Sequence, residues 1–287
     1  VRQEWVVHAV HPALRPFVAS AVGYLQEGLP PGLHRGLPSP FLTFVVTLDD
    51  PLVMAAHPDP RQPPGRYDGL IGGLHTRPAL IAHPGRQAGL QLALTPLGAR
   101  ALLGAPAGAL AGLDVAVPDV LGAAGRELVD RVRCAPDWPG RFAAVERVLL
   151  RRARPDDGPA PEVAEAWRLT TAGGGRLRVA EVAARVGWSD RHLGEQFRAE
   201  TGLGVKEAAR VVRFDRARRA LAARVGRGHP RDLAGLAVSG GFADQAHLTR
   251  EWRALSGLSP TGWLRAELGF VQDGTAPGAG GSLHDHP

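Results

Sequence analysis

RVAEVAARVGWSDRHLGEQFRAETGLGV (Arg178–Val205) and DLAGLAVSGGFADQAHLTREWRALSGLSP (Asp232–Pro260) are two copies of one pattern. Aligned on Gly187 and Gly241, Val179 falls on Leu233, Val182 on Leu236, Ala183 on Ala237 and Trp188 on Phe242. The second copy then carries one extra residue, after which Leu193 falls on Leu248, Phe197 on Trp252 and Gly202-Leu203 on Gly257-Leu258. Apolar residues at i, i+3 and i+4 predict a first helix with a narrow core-facing stripe, and the alanine in that stripe lets a second helix cross closely. Gly187 and Gly241 are placed to end that helix, because a left-handed backbone is least costly at glycine. Ser189 and Asp244 are good N-caps for the next helix. Its inner face is set by the i, i+4 pairs Leu193 with Phe197 and Leu248 with Trp252. A second helix held by a short turn, with its outer face left polar, is the part of a helix-turn-helix that enters the major groove.

Working outward, Val205–Arg224 contains neither Gly nor Pro and predicts one long helix between the two units. Upstream, RRARPDDGPAPE (Arg151–Glu162) mixes charge with three prolines and has no apolar period, the composition of an exposed linker. We therefore expect an N-terminal domain over 1–155, a linker over 156–161, a helical domain over 162–270 and a disordered tail over 271–287, which is polar and glycine-rich and carries His284 and His286. The N-terminal part reads as sheet-rich. Short β-type runs at Phe41–Leu48, Leu52–Ala56, Tyr67–Ile71 and Leu90–Leu94 are punctuated by Gly and Pro, and amphipathic patterns follow at Leu97–Leu103 and Gly140–Arg154. The expected class is α+β, a sheet-rich, cupin-like domain with helices followed by an all-α domain.

Composition narrows the function. The net charge of +6 is unevenly placed: 16 Arg against 14 Asp and Glu in 1–160, but 18 Lys and Arg against 12 Asp and Glu in 161–270. The basic surplus lies with the repeat, where a polyanion would bind. One cysteine, Cys134, excludes a disulfide framework, a multi-cysteine zinc site and an alkylation-repair methyltransferase, and is expected to be buried as a small apolar residue. No stretch approaches the roughly 18 apolar residues of a membrane span, and no signal pattern is seen, so a soluble cytoplasmic protein without membrane contact is expected.

The segment GFADQAHLTREWRALSGLSPTGWLR (Gly241–Arg265) resembles the signature of the AraC family of transcription regulators, in which Gly-Phe, Asp-Gln, His-Leu, Arg, an aromatic and Gly-x-Ser-Pro recur at this spacing. The resemblance runs from about Val163 to Leu268. It implies double-stranded DNA as partner, RNA polymerase as a further candidate partner, a monomer or homodimer, no enzymatic activity and no cofactor. Carried onto this chain, it places Arg191, Gly194, Glu195 and Arg198 on the outward face of the first recognition helix. On the second, it places Gln245, Ala246, Thr249, Arg250 and Arg253 outward, with His247 in a structural or phosphate-facing role. Arginine can pair with guanine N7 and O6, and glutamine with adenine N6 and N7. The first copy departs from the family in having Gly204-Val205 in place of Ser-Pro, and Gly194 within its recognition helix. The segments His34–Val46 and Gly73–Gly104 are similar to N-terminal domains of actinobacterial AraC-type regulators of unassigned ligand.

A sheet-rich domain joined to a DNA-binding one senses a ligand or dimerises. For a small-molecule effector pocket the sequence nominates Tyr24, His34, Phe44, His75, Arg77 and Gln91, which combine aromatic walls with polar groups near the expected strands. The alternative is a cupin-like metal-binding enzyme or sensor with an appended DNA-binding domain. His34, His57, His75 and His83 bring it to mind, but the His-x-His followed by Glu spacing is absent.

Overall fold

The structure, a computed structural model, describes residues 1–271; the expected tail with His284 and His286 lies outside the described residues, apart from Val271. The N-terminal half contains ten strands: β1 (Arg2–His8), β2 (Val18–Glu27), β3 (Gly32–Gly36), β4 (Leu42–Thr47), β5 (Leu52–Ala56), β6 (Gly65–Tyr67), β7 (Gly69–Gly72), β8 (Ala79–His83), β9 (Arg86–Leu94) and β10 (Asp114–Ala116). They form two antiparallel sheets, one ordered β1-β2-β9-β4-β7-β10 and the other β3-β8-β5-β6. Short helices α1 (Ala99–Leu103) and α2 (Val117–Leu121) flank β10, and α3 (Ala123–Cys134) and α4 (Trp138–Arg152) follow.

The six-stranded sheet is covered on both faces. On one, α3 and α4 pack over Leu42, Phe44, Val46, Leu90, Leu92 and Ile71, all at most 3 % exposed. Gly23 leaves room there for the Trp138 ring, which would come within 2.6 Å of any Cβ at that position. On the other face, Leu70 meets Met54 and Ala79 of the four-stranded sheet in a smaller apolar cluster. Because side chains alternate along a strand, the register sorts this inner face into rows: Gln3, Gln26 and Gln87; Trp5, Tyr24, Gly89 and Thr47; Val7, Val22, Gln91 and Val45.

The chain leaves α4 and runs without regular structure over 153–160 to seven further helices: α5 (Pro161–Ala172), α6 (Val179–Val186), α7 (Asp190–Thr201), α8 (Val205–Gly226), α9 (Leu233–Gly240), α10 (Gln245–Ser256) and α11 (Pro260–Val271). The α+β class is as expected, a sheet-rich N-terminal part followed by a helical region. Several elements were not foreseen: β1, β2, β3, β8, β10, α3 and α5. The expected strand Tyr67–Ile71 is split, with Tyr67 ending β6 in one sheet and Gly69 opening β7 in the other. Cys134 is a correction: it ends α3 and is exposed, because the buried stripe of that helix is Leu128, Val129 and Val132, with which residue 134 is out of phase.

Candidate nucleic-acid interface

The two expected units form as read. Helix α6 ends at Gly187 and α9 at Gly241, with φ of 75° and 76°, the left-handed conformation that glycine adopts without steric penalty. Ser189 Oγ accepts the amide N–H of His192 at 3.3 Å and the Asp244 carboxylate that of His247 at 2.6 Å, so both recognition helices, α7 and α10, begin at their expected caps. The aromatic after each glycine meets the histidine of its helix edge-on, Trp188 with His192 at 4.5 Å and Phe242 with His247 at 5.6 Å. His247 Nδ1 also accepts the Ala243 amide N–H, which makes it a turn-fixing residue. Inner faces are dry: Leu193, Phe197, Leu248 and Trp252 are fully buried. Trp167 of α5 stacks on Phe197 at 5.8 Å, and Phe214 of α8 and Trp263 of α11 enclose Trp252 at 5.2 and 5.5 Å.

Outward positions are all accessible. Arg191, Glu195, Arg198, Gln245, Ala246, Arg250 and Arg253 are exposed, and Gly194 and Thr249 are half-buried. Helix α7 runs unbroken through Gly194. The two faces differ in charge state. On α7, Arg191 Nε donates to Glu195 at 3.0 Å and Arg198 donates to Glu207 at 2.8 Å, so both cations are already paired. On α10, neither Arg250 nor Arg253 forms an ion pair with a described residue.

The long linking helix uses most of its arginines as braces, while Arg216 is exposed. Arg210 pairs with Glu251 of α10 at 2.7 and 3.2 Å, Arg218 and Arg219 pair with Asp215, and Arg213 donates to the Gly175 carbonyl. Burial pushes the Arg213 guanidinium below its ordinary pKa.

Two contacts that sequence reasoning missed join the halves of the molecule. Arg100 Nε of α1 donates to both carboxylate oxygens of Glu200, at 2.9 and 3.0 Å, at the C-terminal turn of α7. The 3-10 segment Ala107–Leu110 lies against the same turn, where a Cβ on Gly108 would strike the Ala199 carbonyl. At the other unit, Glu267 of α11, 2 % exposed, bonds His34 Nδ1 of β3 at 2.8 Å and accepts Arg35 at 3.4 Å. No local pattern could announce pairs separated by 100 and 233 residues.

The six nominated effector residues do not converge. Tyr24 and Gln91 share the inner face of the six-stranded sheet, but Phe44 pairs with Leu92 and Ile71 on the opposite, helix-covered face and is fully buried. Alternation along β4 therefore removes Phe44 from any pocket containing Gln91. His34 is engaged by Glu267. His75 and Arg77 lie in the loop before β8, where His75 Nδ1 bonds the Arg77 carbonyl at 2.5 Å and burial lowers the His75 pKa. His57 is buried on Asp114 at 2.8 Å. Among the described residues no three His, Cys, Asp or Glu side chains are grouped to hold a metal ion, and no helix is long and apolar enough to cross a membrane.

With this geometry in hand, residues 177–266 match the family model described as a helix-turn-helix domain. No curated protein matches the chain. Among solved structures it is similar to an apo form of ToxT from Vibrio cholerae, at 8 % identity over 86 % of this chain and 97 % of that one, with a TM-score of 0.51. It is also similar to wild-type ToxT with an unsaturated fatty acid bound, at 7 % identity over 86 % and 95 %, TM-score 0.49. The C-terminal domain of AraT, a response regulator from Geobacillus stearothermophilus, matches at 18 % identity over 37 % of this chain and 85 % of that domain, TM-score 0.34. Both the repeat and the family model thus lead to one statement: residues 177–266 form a helix-turn-helix domain.

Proposed function

We propose that this chain is a sequence-specific DNA-binding transcription regulator whose helices α7 and α10 enter successive major-groove segments of one duplex. The observation that carries the reading is the pair of capped helices with dry inner faces and accessible polar outer faces. They sit in the segment that holds the chain's basic surplus. Recognition helices about 34 Å apart on one side of DNA meet the groove one turn apart, and a rigid linker such as α8 favours bent DNA. Gln245, Thr249, Arg250 and Arg253 supply base-reading types on α10, with Ala246 fitting a thymine methyl; Arg191, Glu195 and Arg198 occupy the matching face of α7. Such a regulator acts in the cytoplasm, as a monomer or homodimer, beside RNA polymerase when its site adjoins a promoter. Its N-terminal half is the natural seat of a small-molecule effector.

The test is a binding titration of the full chain against duplexes from the region upstream of its own gene, across a range of salt. Each phosphate neutralised adds about 0.9 to the slope of log K against log salt. A steep slope with preference for one duplex supports the reading; no affinity at low salt from a chain with its helices intact by circular dichroism overturns it.

A further inference from the structure

The two recognition helices reach the linking helix by different routes. Helix α7 runs into α8 through the three-residue turn 202–204, so chain continuity sets its bearing. Helix α10 has no such tether: between α8 and α9 the chain passes through 227–232, all exposed, and α10 follows only after the turn at Gly241. What aims α10 is therefore side-chain contact with α8. The first contact is apolar, the Trp252 ring edge-on to Phe214 at 5.2 Å. Apolar attraction has no direction of its own, so one packed ring leaves a helix free to pivot about it. The second contact is directional. Arg210 Nε and Nη2 donate to the two carboxylate oxygens of Glu251, at 2.7 and 3.2 Å, with both residues half-buried. A fork-to-fork pair of this kind holds orientation as well as distance, which a lysine in the same place would not. Arg210 lies one turn before Phe214 on α8, and Glu251 stands beside Trp252 on α10, about 100° around that helix. Two contacts separated on both helices fix a crossing angle that one leaves open.

The pair is also one link of a longer row. Arg198 of α7 donates to Glu207 of α8 at 2.8 Å, and Glu207 and Arg210 are i, i+3 neighbours on one face of α8. Charges therefore alternate from one recognition helix to the other: Arg198, Glu207, Arg210, Glu251. Arg213 stands a further i+3 step along α8. Burial depresses its guanidinium pKa, while Glu251 opposes that shift and Arg210 adds to it, so the carboxylate is held among both arginines.

We propose that Arg210 and Glu251 are spacing-determining residues: without touching a base, their pair fixes the angle of α10 on α8 and so selects duplexes whose two contacted segments are one set number of base pairs apart. This rests on the reading of α7 and α10 as the two helices that enter DNA, and it adds what sets their mutual bearing. One base pair more or less between the segments moves the second by about 3.4 Å and turns it by about 35° around the duplex axis. An α10 held at two points does not follow that change; an α10 hinged on Trp252 alone follows it in part.

The test has one arm without DNA and one with it. In the first, spin labels at Gln196→Cys of α7 and Ala254→Cys of α10, both exposed positions, in a Cys134→Ser chain report the distance distribution between the helices by double electron–electron resonance. Arg210→Gln and Glu251→Gln are each expected to widen the distribution at least about 1.5-fold, and the double variant no further, because the two side chains act through one pair. Arg210→Lys keeps the charge, loses the fork and serves with the same expected widening if the glutamine variants disturb folding. In the second arm, the full chain is titrated against its preferred duplex and against duplexes longer or shorter by one base pair between the contacted segments. The preference for one spacing should fall by about three- to fivefold in either glutamine variant, the upper range for a partly exposed ion pair, with base preference inside each segment kept. An affinity loss equal at all spacings, or a salt slope lower by about 0.9 in Arg210→Gln, would mark a packing or phosphate-binding residue and overturn the proposal. An unchanged distance distribution or additive effects in the double variant would overturn it as well. If no duplex is bound specifically, the DNA reading falls, and the distance distributions still decide whether this pair aims α10.

Discussion

Replacing Arg250 and Glu195 by alanine, each alone, separates the two recognition helices. The Arg250 side chain is exposed on α10 and makes no ion pair with a described residue, so its removal breaks nothing within the protein and the measured loss is the loss of a DNA contact. For a base-reading arginine that is about 1–3 kcal/mol, or about 5- to 140-fold in Kd, with relaxed preference at one base pair. Glu195 stands differently. Its carboxylate holds Arg191 at 3.0 Å with both side chains largely in solvent, a helical i, i+4 pair worth about 0.3–0.5 kcal/mol. Glu195→Ala therefore leaves folding nearly unchanged and frees Arg191. Affinity for the specific duplex is expected to stay level or rise, and the salt slope to steepen by about 0.9 if Arg191 then reaches a phosphate. Competition binding against a randomised duplex library at fixed salt, followed by a salt series on the best sequence, measures both. If Glu195→Ala is the more damaging change, α7 is the principal reader and the argument from free and paired cations is refuted.

Three further outcomes follow from packing and protonation. Trp252→Ala should lower the stability of the helical region by about 3–5 kcal/mol in denaturant unfolding, since the indole is fully buried between Phe214 and Trp263; Trp252→Phe should cost clearly less, because Nε1 has no partner to lose, and an unchanged midpoint for the alanine variant would contradict the register of α10. Gly194→Ala should raise stability by about 0.5–1 kcal/mol, as the position is helical and an added Cβ meets no atom within 4 Å; destabilisation would show that the helix needs the glycine. The Tyr24 pKa is raised to about 12 from an ordinary 10.0, so the folded chain keeps a proton that the unfolded chain releases. Stability tied to Tyr24 is complete below pH 10 and is lost as pH climbs from 10 towards 12. Thermal unfolding across that window should show a falling midpoint that is shallower in Tyr24→Phe, and an identical fall in both proteins would remove Tyr24 as its source.

The helical region was legible because its decisive features are local. Glycines at 187 and 241, caps at 189 and 244 and apolar pairs four residues apart each act within one turn of helix, and the structure keeps every one. The sheet region was legible only in part. Strand β4, LTFVVT, shows no clean alternation of apolar and polar residues because both its faces are covered, and such a run does not say which face Phe44 takes. Strand β2 hides for a related reason: Gly23 serves the Trp138 ring on one side, while Tyr24 and Gln26 put polar atoms on the inner side, so the usual apolar and polar alternation is blurred. Helix α5 opens at Pro161, inside what reads as linker, and its Trp167 is recognised as a core residue only once Phe197 is seen beneath it.

The contacts of Arg100 with Glu200 and of His34 and Arg35 with Glu267 bear on how such proteins can be recombined. Both carboxylates are nearly buried, at 6 % and 2 % exposure, and both belong to the DNA-binding side of the molecule, whereas their counterions belong to the sheet side. A chimera that grafts residues 162–270 onto a foreign sensor keeps the carboxylates and discards the cations. Docking against a surface without matching charges would then strand two anions out of water, a penalty of several kcal/mol, and the graft would instead swing on its tether. Modularity in this chain is thus asymmetric: the helical half carries the two buried carboxylates with it, but its bearing relative to the sheet half is owned by the three basic side chains left behind.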